Sequence, residues 1–190
     1  EVIAEVAPAF VGQFGGKGNV DKLREAFKQL GFSGMEEVAL GADLCTIQES
    51  EDFLEEVPEK IPFMGTSCCP AWSVMAKKEF PKNADCISMA LTPMTLTARL
   101  IRKQHPNAKI VFVGPCSAKK LEAMRESVRS EVDFVLTFEE MAGMMSAKQI
   151  DYTKLAGEGG DFDVASADGR GFAVAGGVAT AVANAIHKRY

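Results

Sequence analysis

Two heptapeptides carry most of the chemistry open to this chain: Thr66-Ser67-Cys68-Cys69-Pro70-Ala71-Trp72 and Gly114-Pro115-Cys116-Ser117-Ala118-Lys119-Lys120. Each sets cysteine on a sharp turn after an apolar, strand-like run, residues 61–65 in the first case and 109–113 in the second. Two such turns at one edge of a sheet bring thiolates together, and thiolates are the ligands that soft metals and iron–sulfur clusters take. Adjacent cysteines on an extended backbone point in different directions, so Cys68 and Cys69 are not expected to bind one metal atom together. One of them can ligate while the other faces a separate pocket. Pro70 suits the first turn of a helix. A thiolate at a helix start is stabilised by unpaired N–H groups and the helix dipole. A lone free cysteine is more often a small buried hydrophobe, and Cys45 and Cys86, which lie in helix-like or strand-like patterns, read as core. A vicinal pair between Thr-Ser and Pro-Ala-Trp is harder to read that way.

The elements that must position these turns alternate along the chain. Short β-branched runs predict strands at 2–6, 37–40 and 133–137, with the clearest at 109–113. Helical spacing predicts helices at 20–30, 43–57, 70–80, 93–104, 138–148 and 176–188. The alternation implies an α/β fold of parallel-sheet lobes with flanking helices. In such sheets ligands sit beyond the carboxyl ends of the strands, where both cysteine turns fall. Residues 156–163, rich in glycine and acids, read as an exposed loop. The run Gly12-Gln13-Phe14-Gly15-Gly16-Lys17-Gly18 lacks the spacing of a phosphate loop and the Ser/Thr after its lysine, so it reads as a turn.

Composition narrows the classes. The chain has 190 residues, 47% hydrophobic and 25% charged, with a formal net charge of −5. That balance gives no electropositive footprint for nucleic acid. No apolar stretch approaches the roughly 18 residues that span a bilayer, and no signal peptide is expected from the opening residues. Five cysteines, an odd number, argue against a disulfide framework and for a reducing, cytoplasmic setting. With no C-x-x-C pair and only His105 and His187, a structural zinc site is not expected.

The first heptapeptide resembles the TSCCPxW motif of the iron–iron hydrogenases, and Pro115-Cys116-Ser117-Ala118-Lys119 resembles their PCxxK motif. The resemblance implies the Fe-only hydrogenase catalytic-domain fold and an H-cluster, a 4Fe–4S cubane joined to a two-iron subsite with CO and CN ligands. It implies Cys69 and Cys116 as cubane ligands, Cys68 as proton donor to the bridging amine, and Lys119 as hydrogen-bond donor to a cyanide, a sensible pairing of ammonium and anion. Further positions fit the same template. Pro8 and Ala9 resemble backbone that touches the two-iron subsite, Ser88 a proton-pathway serine, and Glu122 a carboxylate behind the lysine. Phe172, in Gly171-Phe172-Ala173-Val174-Ala175-Gly176-Gly177, resembles the segment lining the subsite. The implied partners are molecular hydrogen, protons and an electron carrier such as a ferredoxin or a linked iron–sulfur domain. Taken without the cysteine doublet, Lys119 reads as a solvated helix-start lysine, Ser88 as a satisfier of a neighbouring carbonyl, Phe172 as core and Gly176-Gly177 as close helix packing.

The pattern also departs from the family. No cysteine follows Cys116, so the third motif, with its two ligands, is missing. Residues 1–190 are therefore expected to be an amino-terminal portion of an H-cluster domain, cut at both ends, and unable to hold an intact cluster alone. Gly114 stands where many members have methionine, which is expected to open the pocket. Met94 replaces a polar residue. Gln48 or Ser50 falls where the pathway glutamate belongs. These departures favour the sensory branch of the family as an alternative to catalysis. A further alternative, an iron–sulfur assembly relative, is disfavoured because those relatives tend to lose the cysteine at the Cys68 position.

Overall fold

A computed structural model describes residues 1–14, 19–157 and 165–189. Gly15 to Gly18 of the glycine run, and most of the predicted 156–163 loop, lie outside the described residues. The four strands are β1 (Val2–Val6), β2 (Gly34–Glu37), β3 (Lys109–Gly114) and β4 (Phe134–Thr137). They form one parallel sheet in the order β2-β1-β3-β4. Among the described residues the predicted lobes thus reduce to a single sheet with its helices. The helices are α1 (Val20–Leu30), α2 (Val38–Glu56), α3 (Pro70–Glu79), α4 (Pro93–Gln104), α5 (Ala118–Ala123), α6 (Phe138–Ala147), α7 (Ala167–Arg170) and α8 (Gly177–Arg189).

Strand alternation separates two cores. Ala4 and Val6 of β1, with Val111 and Val113 of β3, pack into a cluster with Leu23 and Phe27 of α1 and Met141 of α6. On the other face Ile3 and Ile110 pack against Ala98 and Ile101 of α4. Burial at about 25 cal/mol per Å² of apolar surface is what holds the layers together. Local signals set the helix starts. Asn19 caps α1 by accepting from the Asp21 and Lys22 N–H groups, Thr92 caps α4, and Thr137 with Glu140 forms a capping box on α6.

Two predicted strands change. Residues 37–40 belong mainly to α2, which begins at Val38 directly after β2 (Gly34–Glu37). The buried pattern of Val38, Ala39 and Ala42 is helical, and a short apolar run does not separate the two periods. Residues 61–65 form no strand, and only Gly65 bridges to Ile87.

Candidate functional site

The second cysteine turn grows directly from the sheet. β3 lies between β1 and β4, and after Gly114 the chain passes through Pro115 and Cys116 to α5. The Lys119 N–H donates to the Cys116 carbonyl (3.2 Å), closing the turn. Next door, the Ala7 N–H donates to the Val113 carbonyl (2.8 Å), and the chain then turns through a 3₁₀ segment, Pro8–Gly12. Pro8, Ala9 and Cys116 therefore leave adjacent strands at one carboxyl edge. Phe172, half-buried in the 3₁₀ turn Gly171–Ala173, lies in a segment that packs on the Pro8–Gly12 turn. That segment is held by Arg170, whose Nε and Nη2 donate to Glu37 at the end of β2 (3.0 and 2.9 Å). At Gly177 an added Cβ would collide with the Gly171 carbonyl, so this glycine exists for close approach.

The first cysteine turn is built differently. The Gly65 N–H donates to Cys86 O (2.7 Å), and the Ser88 N–H donates to Gly65 O (2.8 Å). Trp72 Nε1 donates to Thr66 O (2.9 Å), and the Trp72 N–H donates to Cys69 Sγ (3.4 Å). Cys69 is thus the N-cap of α3, with Pro70 in the first turn. Lys119 then joins the two turns. Its Nζ donates to the Cys68 carbonyl (3.0 Å) and to Glu122 Oε2 (2.7 Å). Glu122 is buried and also accepts from the Thr92 hydroxyl. Cys68, Cys69, Cys116, Lys119 and Glu122 are therefore parts of one construction.

Sequence reasoning missed Glu49. It lies one helical turn after Cys45 on the buried face of α2 and is completely inaccessible. The spacing of four from Cys45 carried that signal. Burial pushes the Glu49 carboxyl up, while the Ser67 backbone and the Ser88 hydroxyl partly offset it. Neither neighbour reaches hydrogen-bonding geometry, so the carboxyl is poised beside them rather than bonded. It lies between Gln48 and Ser50, the two positions that the sequence offered for a pathway acid. Ser88 also lines a cavity of about 470 Å³ with Asp52, Glu56 and Asp85. Burial, then the charge of Glu49, pushes the Cys68 thiol up to about 11, and Lys119 pulls the other way. Cys68 is consequently a thiol at neutral pH. Cys45 is pushed up by burial, then by Glu49 and Cys68. Cys45 and Cys86 are buried and free, as core residues should be.

Two departures resolve sterically. Phe112 occupies the space above Gly114: a Cβ at 114 would meet its ring at 2.5 Å. The glycine does not open the pocket there, because the neighbouring aromatic fills it. Met94 is buried in the main core.

Cys69 is exposed and Cys116 half-exposed, which suits thiolates facing a bound group. Thiolate is the donor type that iron–sulfur clusters take, and a cubane takes four of them. Among the described residues no group of three or more His, Cys, Asp or Glu side chains is arranged to hold a single metal ion. The donor type and its placement fit a cubane in part, with the other two ligands still to be supplied.

The sequence profile described as the iron only hydrogenase large subunit, C-terminal domain, matches residues 1–190. The chain belongs to this family. It is 30% identical to iron hydrogenase 1 of Clostridium pasteurianum over 93% of its own length and 35% of that protein's. It is 32% identical to the cytosolic Fe-S cluster assembly factor NAR1 of Debaryomyces hansenii, over 66% of this chain and 26% of that one. The fold superposes on an apo FeFe-hydrogenase of Chlamydomonas reinhardtii with a TM-score of 0.77 at 26% identity, covering 98% of this chain and 53% of that one. The chain thus spans about a third of the curated hydrogenase it matches and about half of the solved structure. Among the described residues no helix is long and apolar enough to cross a membrane.

Proposed function

We propose that this chain is the amino-terminal portion of an iron–iron hydrogenase catalytic domain, which interconverts molecular hydrogen with protons and electrons. The observation that carries the reading is the Lys119 bridge, which ties the PCxxK turn to the backbone of the cysteine doublet. When bound, the H-cluster supplies the redox change and the centre at which hydrogen is made or split. Cys69 and Cys116 hold the cubane by thiolate. Cys68 keeps a proton on Sγ at neutral pH and would present it to the bound group. Glu49 and Ser88 stand behind it as the next acceptors, and the acid-lined cavity begins at Ser88. Lys119 directs its ammonium at an anionic ligand such as cyanide, with Glu122 steadying its position. Pro8 and Ala9, at the carboxyl edge of β1, and Phe172, in the segment packed on their turn, would border the group.

Glu49 also bears on catalysis against sensing. A pathway acid missing from its place favoured a sensory role, and a buried acid beside Ser88 removes that argument. Assembly-factor function is the second reading, supported by the identity to NAR1. The electron donor is expected to be a ferredoxin or a linked iron–sulfur domain. Five free cysteines suit a cytoplasmic, reducing compartment.

The test is made in the full-length protein with its matured cofactor. Cys69→Ala or Cys116→Ser should abolish assembly of the 4Fe–4S cubane, and unchanged iron content would refute the ligand roles. Cys68→Ala should leave iron content intact and lower hydrogen turnover by at least about 100-fold, the contribution of a positioned acid. Wild-type turnover in that variant would refute the proton-donor role of Cys68, and none in the unmutated protein would leave the assembly reading in possession.

A further inference from the structure

Glu122, the buried carboxylate behind Lys119, has a different donor on each oxygen. Oε2 accepts from Lys119 Nζ at 2.7 Å. Oε1 accepts from the Thr92 hydroxyl, and the Thr95 hydroxyl lies 3.5 Å from the same oxygen. Thr92 is the N-cap of α4, and Thr95 sits in its first turn. The start of one helix therefore grips the carboxylate that a second helix, α5, uses to hold its lysine.

The cap decides where the Thr92 proton goes. As N-cap, Thr92 Oγ1 accepts from the Thr95 N–H at 3.4 Å. That bond uses a lone pair and leaves the single O–H to donate elsewhere. Two acceptors are in reach, Glu122 Oε1 and, at 3.4 Å, Thr95 Oγ1. The carboxylate oxygen is preferred, because a hydrogen bond to an ionised acceptor is about twice as strong as one to a neutral acceptor.

Lys119 has three N–H donors. One goes to Glu122 Oε2 and one to the Cys68 carbonyl. Among the described residues nothing takes the third. A buried Oε1 without its hydroxyl would be the nearest claimant, since an ammonium already on Oε2 can settle between both oxygens and satisfy the orphan. Thr92 removes that claim by filling Oε1 first.

Resting on the hydrogenase reading for the identity of the ligand, we propose that Thr92 is a positioning residue for Lys119. Its hydroxyl confines the ammonium to one oxygen of Glu122 and so leaves the third N–H to an anionic ligand of the bound group. The aim of the lysine on α5 is set from the cap of α4.

The experiment uses the full-length protein with three variants. Thr92→Ser keeps the hydroxyl. Thr92→Val removes it, and so does Thr92→Gly, at a position where glycine is itself a tolerated cap. In cofactor-free protein, acylation of Lys119 by acetic anhydride is timed by mass spectrometry of its peptide. Valine and glycine should slow the reaction by about tenfold, because a second bond to the carboxylate holds the ammonium. Serine should react at the wild-type rate. Unchanged or faster reaction with valine and glycine would mean that the ammonium is not drawn to the freed oxygen, as when water from the adjoining cavity of about 280 Å³ takes it. Slowing with serine as well, or with valine but not glycine, would mean that packing at the methyl positions acts instead. Each of these results overturns the proposal. In cofactor-loaded protein, an infrared cyanide band should move with valine and glycine and keep its wild-type position with serine. Bands that stay in place in all three overturn the step from Glu122 to the ligand. If no cluster assembles in the unmutated protein, the hydrogenase reading fails and with it the cyanide ligand, while the acylation comparison still decides what holds Lys119.

Discussion

The two cysteine turns do related work with unlike supports. Cys116 follows a six-residue strand buried in the middle of the sheet, so backbone ladder bonds on both sides set its position. Cys69 follows no strand. Its turn hangs on the Gly65 bridge, the Trp72 indole bond to Thr66 and the Lys119 bond to Cys68. One ligand is placed by secondary structure and the other by side chains reaching across sequence. The second kind of support can be removed one bond at a time, and that is where the molecule should be sensitive.

The largest effect should come from Lys119→Met. It cuts the tie between the turns and leaves Glu122 buried without its cation. A loss of about 3 kcal/mol in urea unfolding is expected at neutral pH, as for a broken buried pair. A loss near zero would mean that the ammonium acts only by packing. Hydrogen exchange should rise across residues 65–72 and stay unchanged across β3; exchange rising equally in both would erase the contrast between the turns.

A smaller effect is expected from Trp72→Phe, which keeps the ring but loses the bond to Thr66. The cost should be about 1 kcal/mol. Alkylation of Cys69 should speed up while that of Cys116 does not, as read by mass spectrometry of the labelled peptides. Equal acceleration at both cysteines would show that the turns are coupled more tightly than their separate supports suggest.

Chemistry at the doublet gives the next test. The Cys68 thiol should show half-maximal alkylation only near pH 11, where burial and Glu49 have moved it. Glu49→Gln removes the negative charge and should move that midpoint down. An unmoved midpoint would detach Glu49 from Cys68. The smallest effect should come from Thr92→Val, which loses the α4 cap and the bond to Glu122. About 1 kcal/mol is expected, with both cysteine turns keeping their alkylation rates.

Much of this arrangement is legible in the sequence, for identifiable reasons. The β-branched run at 109–113 and the Pro-Cys turn after it specify both a buried strand and its exit. Pro70 and Pro93 mark helix starts because a missing N–H costs nothing there. What escaped reading lay where local pattern is ambiguous. Residues 37–40 are apolar in a way that suits either period. Residues 61–65 look like a strand but have no neighbouring strand to pair with. Glu49 was hidden because an acid inside a polar stretch of helix reads as solvated, and only the burial of Cys45 four residues earlier turns that face inward.

The Phe112 ring over Gly114 makes these two positions one decision rather than two. Placing methionine at 114 alone forces the ring to move and should cost about 1–3 kcal/mol by overpacking. Shrinking Phe112 alone leaves a void of comparable cost. Made together, the exchanges should largely cancel, so a redesign that tests them singly would reject both halves of a workable pair.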